Sequence, residues 1–128
     1  MRAIKFRGKS ICGKRLGEWI HGAYLPDFDG YTHRTLIVDC ITGFSEEVNP
    51  ITIGQFTGLL DKNGKDIYEG DILQNTPKAV RYKVYWSTNI HSWSLEHTNN
   101  GSKKPLCCLD DKFEVIGSIY DNPELINE

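Results

Sequence analysis

Asn63-Gly64 stands between the apolar pairs Leu59-Leu60 and Ile67-Tyr68, and this turn restricts the fold more than any other feature of the chain. Both residues tolerate the positive φ that a two-residue type I′ turn demands, so a tight β-hairpin is expected here. Gly70, held between Glu69 and Asp71 just before Ile72-Leu73, marks a second reversal that starts another strand. The stretch from Gly54 to Leu73 therefore reads as glycine-punctuated β scaffold. Its carboxylates, Asp61, Asp66, Glu69 and Asp71, are the one acidic cluster beside strong turn sequence. Paired carboxylates can serve acid/base chemistry or hold a hard cation through oxygen. Lys62 and Lys65 dilute that field, the spacing lacks a calcium-loop pattern, and turns favour Asp for backbone reasons alone. No catalytic residue, metal ligand or cofactor is assigned to them, and a metal-dependent enzyme ranks last among the functions considered.

The flanking sequence is strand-like throughout. Ala3 to Arg7 alternates Ile4 and Phe6 with Lys5 and Arg7, which predicts a strand with an apolar core face and a cationic face. Gly8 to Gly17 reads as a loop, Glu18 to Leu25 as a strand, and Pro26 to Gly30 as a turn. Thr35 to Ile41 is nearly continuous in apolar content and is expected to be buried on both sides. Asn49 followed by Pro50 predicts one capped turn of helix or 3-10 helix. A boundary near residue 55 separates an N-terminal β subdomain, 1–55, from a second one, 56–128. In the second, Val80, Tyr82, Val84 and Trp86 share one face while Arg81, Lys83 and Tyr85 share the other, the pattern of a half-buried strand. Trp93, Leu95 and His97 repeat it before the turn at Asn99-Asn100-Gly101. Phe113, Val115, Gly117 and Ile119 form a closing strand, where Gly117 suits a bend or a close backbone approach. Asn122-Pro123-Glu124 is expected to cap a short C-terminal helix. Short strands at this spacing make the chain mainly β and suggest a small barrel.

Length and composition suit a soluble globular chain: 128 residues, 39% hydrophobic and 25% charged. A formal net charge of −2 argues against wholesale binding to nucleic acid or an acidic membrane. Charge is nonetheless unevenly spread, because Arg2, Lys5, Arg7, Lys9, Lys14 and Arg15 precede the first acid, Glu18, while the stretch from Asp110 to Glu128 is acidic. No leader or membrane-spanning run is expected, which places the chain in the cytoplasm and its four cysteines as thiols. His21, His33, His91 and His97 lack zinc-hydrolase spacing, and the glycines lack the strand-to-helix setting of a phosphate loop. The candidate binding residues are Arg7, Lys9 and Trp19 near the start and Arg81, Lys83 and Tyr85 on the alternating strand. An Arg-Lys-Tyr face can stack a base and hold phosphates, or it can be solvated or packed internally.

Several blocks resemble a known family. Val48-Asn49-Pro50, Gly54-Gln55-Phe56-Thr57-Gly58-Leu59, Asp61-Lys62-Asn63-Gly64-Lys65 and Ile67-Tyr68-Glu69-Gly70-Asp71-Ile72 are similar to the signature run of the YopX-like proteins of phages and prophages. Ile4 to Lys9 with Gly17-Glu18-Trp19 resembles that family's opening, and Val115 to Leu125 its close. The resemblance implies a largely β protein with an SH3-like barrel in the C-terminal part. It carries no activity and no catalytic residue onto the chain. The expected function is accordingly non-enzymatic: a protein-interaction or assembly module, self-association through its opposite charges included, with nucleic-acid binding as the alternative.

Overall fold

The structure, a computed structural model, describes residues 4–26, 34–75, 79–108 and 112–126. The chain divides into two compact units, Met1–Phe56 and Thr57–Glu128. Regular structure among the described residues is antiparallel β strand with short 3-10 turns. No helix there is long and apolar enough to cross a membrane.

The first unit contains β1 (Phe6–Lys9), β2 (Trp19–Leu25), β3 (Leu36–Asp39), β4 (Ser45–Glu47) and the start of β5 (Gly54–Leu60), in the spatial order β4-β3-β2-β1-β5. Pairing of Phe6 with Gly22 and of Gly8 with Ile20 puts those four positions on one face. The sheet curls back on itself. Ser10 bridges to Val48, the Ile11 amide donates to the Glu47 carbonyl at 3.1 Å, and the Asn49 amide donates to the Lys9 carbonyl at 2.8 Å. Inside lie Ile20, Ile37 and Val48, with Phe6, Tyr24 and Ile53 packed against them. The 3-10 turn after β4, Pro50–Thr52, is capped as expected, with Asn49 Oδ1 accepting the Ile51 amide at 3.1 Å.

Two expectations for this unit change. The strand begins at Phe6 rather than Ala3, which lies outside the described residues; Ile4 is 70% exposed and Arg7 only 6%. The reason is that the face carrying Arg7 is roofed by the Trp19 ring, so the cation is covered. Burial of the third strand on both sides stops at Asp39, and Ile41 is 90% exposed. Asp39 Oδ1 accepts the Ile41 and Thr42 amides, at 2.8 and 3.1 Å, and turns the chain before the apolar run is finished.

The second unit continues β5 into a hairpin with β6 (Asp66–Tyr68). It then builds a sheet from β7 (Asp71–Asn75), β8 (Val80–Ser87), β9 (Ser92–His97), β10 (Lys103–Pro105) and β11 (Phe113–Ser118), ordered β10-β9-β8-β7-β11. The β8 pattern holds in register. Tyr82, Val84 and Trp86 pair with His97, Leu95 and Trp93 on one face, and Lys83, Tyr85 and Ser87 pair with Glu96, Ser94 and Ser92 on the other. The first face supplies the core of Leu73, Val84, Leu95 and Phe113, joined by Ile67 and Leu106. Trp86 departs from the expected burial at 43% exposed, because it sits at the strand end and packs edge-on against Trp93, centroids 5.1 Å apart.

The hairpin forms where expected, but its turn is different. Gly64 has φ of +80° while Asn63 does not enter the left-handed region, and the Gly64 amide donates to the Asp61 carbonyl at 3.0 Å. With the Asp61 amide donating to Lys65 at 2.8 Å, this is a type I turn followed by a left-handed glycine rather than a type I′ pair. At the C-terminal end the expected helix is a 3-10 turn, Pro123–Leu125, without a side-chain cap. Asn122 Oδ1 instead accepts the Ser118 amide at 3.3 Å. That contact uses the space left by Gly117, whose absent Cβ would lie 2.4 Å from the same oxygen. The β11 alternation is itself interrupted by a register shift between Val115 and Gly117.

Candidate functional site

The three β8 candidates face one way but are used differently. Arg81 Nε donates to Gln74 Oε1 at 2.9 Å and its Nη1 reaches the Leu125 carbonyl at 3.4 Å. Lys83 Nζ pairs with Glu96 at 3.4 Å. Tyr85 instead lines an open cleft of about 290 Å³ on the sheet face opposite the core. Ser87 and Ser94 lie beside it, Ile90 and Pro105 supply apolar wall, and Asn89, Lys103 and Lys104 complete the lining.

Strand order makes this cleft. β8, β9 and β10 are adjacent, and Tyr85, Ser94 and Pro105 stand in register across them, while the loop after β8 brings Ile90. Lys104 is held in place, its Nζ 4.7 Å from the Tyr82 ring centroid and 5.4 Å from that of Phe113. Lys103 is exposed and has no ion-pair partner among the described residues. The lining offers an aromatic face, hydroxyls, an amide and the Lys103 side chain, with no carboxylate, histidine or cysteine, while the Lys104 ammonium is turned to the core face. Such a set can bind and orient an amphipathic group. Of the sequence candidates only Tyr85 belongs to it. Lys103-Lys104-Pro105 could have been found from its place after the Asn99-Asn100-Gly101 turn, which returns it antiparallel to the preceding strand.

In the first unit Arg7, Lys9 and Trp19 do come together. Pairing of Lys9 with Trp19 and Arg7 with His21 puts them on one face, with the guanidinium 4.1 Å and Lys9 Nζ 4.8 Å from the indole centroid. Lys9 Nζ also donates to the Gly17 carbonyl at 3.1 Å. This stack uses its cations within the unit. Nearby, Arg15 makes a close hydrogen-bonded ion pair with Asp39. That bond, with the Ile41 and Thr42 amides, lowers the Asp39 carboxyl to about 2 and raises the Arg15 guanidinium above its ordinary value.

The central carboxylates hold backbone. Asp61 Oδ1 accepts the Asn63 and Lys65 amides at 2.8 and 2.9 Å, and Oδ2 accepts the Val115 amide at 2.9 Å. Burial pushes this carboxyl up, but the three amides and the Lys65 charge outweigh it and hold it below its ordinary value. Asp71 Oδ2 accepts the Tyr68 amide at 2.8 Å across the Gly70 turn. No group of three or more histidine, cysteine or acidic residues placed for a metal ion occurs among the described residues. His97 Nδ1 accepts the Asn99 and Asn100 amides at 3.1 and 3.3 Å, so it shapes a turn. His33 lies outside the described residues.

A family model described as YopX protein matches residues 26–127. Among solved structures, the crystal structure of protein EF1440 from Enterococcus faecalis is similar, with a TM-score of 0.58 and 25% sequence identity, covering 98% of this chain and 99% of that one. No curated protein matches the chain.

Proposed function

The chain belongs to the YopX protein family, and we propose that it is a non-enzymatic protein-interaction module whose binding site is the cleft between Tyr85, Ser94 and Pro105. The observation that carries this reading is the lining itself: an aromatic ring, aliphatic walls, hydroxyls and the Lys103 side chain converge there, and neither serine has a histidine or carboxylate beside it in that lining. We read the second subdomain, from about residue 56, as an SH3-like small barrel, a reading supported by five antiparallel strands around one core. Resemblance to phage and prophage proteins supports an accessory role in the bacterial cytoplasm. Nucleic-acid binding through Arg81, Lys83 and Tyr85 has weaker support, because Gln74 and Glu96 occupy the two cations.

The test is a peptide-array screen followed by amide-resonance mapping of the best binder. Shifts clustered at Tyr85, Ser87, Ser94 and Lys103, abolished by Tyr85→Ala with the fold retained, are expected. The reading fails if no peptide binds while a single-stranded oligonucleotide does at low salt, where release of counterions favours such complexes.

A further inference from the structure

Asn-Gly occurs twice in the chain, at Asn63-Gly64 and Asn100-Gly101, and both pairs sit in exposed turns. The dipeptide is chemically labile, because a glycine nitrogen with no Cβ beside it can close on the preceding side-chain amide. As sequence the two sites are equivalent. Their surroundings separate them.

Asn100 is folded for that reaction. Its Oδ1 accepts the Ser102 amide at 2.8 Å, an Asx turn that brings Cγ back toward the intervening Gly101 nitrogen. The same N–H stabilises Oδ1 as it gains negative charge during attack, as an oxyanion donor does. Asn63 is arranged the other way. Its Nδ2 donates to Glu114 Oε2 at 3.3 Å, which draws the side chain across to β11, and no donor reaches its Oδ1 among the described residues. In both turns the glycine amide donates to a backbone carbonyl at 3.0 Å, so that restraint does not discriminate between them.

We infer that Asn100 is a site of spontaneous deamidation in the folded chain, whereas Asn63 is protected. Hydroxide takes the Gly101 N–H proton and the nitrogen bonds to Asn100 Cγ. The Cγ–Nδ2 bond then breaks as ammonia leaves with a proton from water, regenerating hydroxide. Water opens the resulting succinimide at either carbonyl, giving aspartate or isoaspartate. Each product adds a negative charge where the chain enters β10, and isoaspartate also inserts a main-chain carbon. β10 is an edge strand of three residues, and the His97 amide holds its approach by donating to the Ser102 carbonyl at 2.8 Å. Lengthening that turn loosens β10 and, with it, the wall that Lys103 and Pro105 give the cleft. The inference holds whatever the cleft binds.

Incubation of the full chain in mildly alkaline heavy-oxygen water, followed by digestion and mass spectrometry, tests this, since each deamidated site takes up labelled oxygen. Label is expected several-fold faster at Asn100 than at Asn63 in the folded chain, and at more nearly equal rates in urea, where neither turn persists. Hydrogen exchange at the His97 amide is expected to quicken in the deamidated fraction, separated by ion exchange. Equal labelling in the folded chain, faster labelling at Asn63, no labelling at either site, or the same ratio in urea overturns the assignment. Unchanged exchange at His97 overturns the effect on β10.

Discussion

Asp39 shows how one side chain can organise two loops. Its carboxylate turns the β3–β4 connection through two amides and reaches Arg15 in the β1–β2 connection. The folded pKa, about 2, lies below the ordinary 3.8, so the pair contributes stability that is present above about pH 4 and lost as pH falls through about 2. Carboxyl NMR should place the Asp39 midpoint near that value, and Asp39→Asn should lower the melting temperature at neutral pH while flattening its decline in acid. A second residue-scale prediction concerns Gly22, whose hypothetical Cβ would lie 1.8 Å from the Val38 carbonyl oxygen. Gly22→Ala should cost about 1–3 kcal/mol, or prevent folding of the first unit, read by urea denaturation. Neither role was legible in the sequence. His21-Gly22-Ala23 looks like strand filler, and the demand for glycine comes from a strand paired across the sheet; Arg15 and Asp39 meet only once four strands have curled.

At the scale of elements, the β5–β6 hairpin was legible and its turn was not. Local propensity at Asn63-Gly64 permits a two-residue turn, but Asp61 captures the Asn63 and Lys65 amides and so favours a loop with only Gly64 left-handed. The same carboxylate ties the hairpin to β11 through Val115, a contact across more than fifty residues that no local reading supplies. Asp61→Ala leaves three backbone donors without this acceptor and should cost about 1–3 kcal/mol. Asp61→Asn is more discriminating. Its Oδ1 can still serve the loop, whereas an amide nitrogen in place of Oδ2 would face the Val115 N–H, donor to donor. Hydrogen exchange should therefore quicken at Val115 while the Lys65 amide stays protected. The β8 alternation was equally legible, since period two decides faces; it could not show that Gln74 and Glu96 would engage Arg81 and Lys83, leaving Tyr85 to the cleft.

Among the described residues of the whole molecule, each unit gathers its own apolar cluster, one around Ile20, Ile37 and Val48 and the other around Leu73, Val84, Leu95 and Phe113. Composition could place this chain among globular β proteins, but not divide its hydrophobic residues between cores, because that division follows from which strands pair. The cleft was hidden for the same reason: it is assembled from three strands and a loop, and only Tyr85 carries a local signal. Two clusters imply that truncating one should be felt first in its own unit. Ile37 and Leu95 are both fully buried, so Ile37→Ala and Leu95→Ala should each cost about 2–5 kcal/mol. Amide exchange distinguishes where that loss falls. Leu95→Ala should speed exchange along β7, β8 and β9 before β2 and β3, and Ile37→Ala should do the reverse. Because Leu95 lies between Ser94 and Glu96 on β9, its truncation should also weaken any ligand seated on Tyr85, whereas Ile37→Ala should leave that affinity unchanged. Equal loosening of both sheets by either variant would mean that one cooperative core, rather than two, holds the chain.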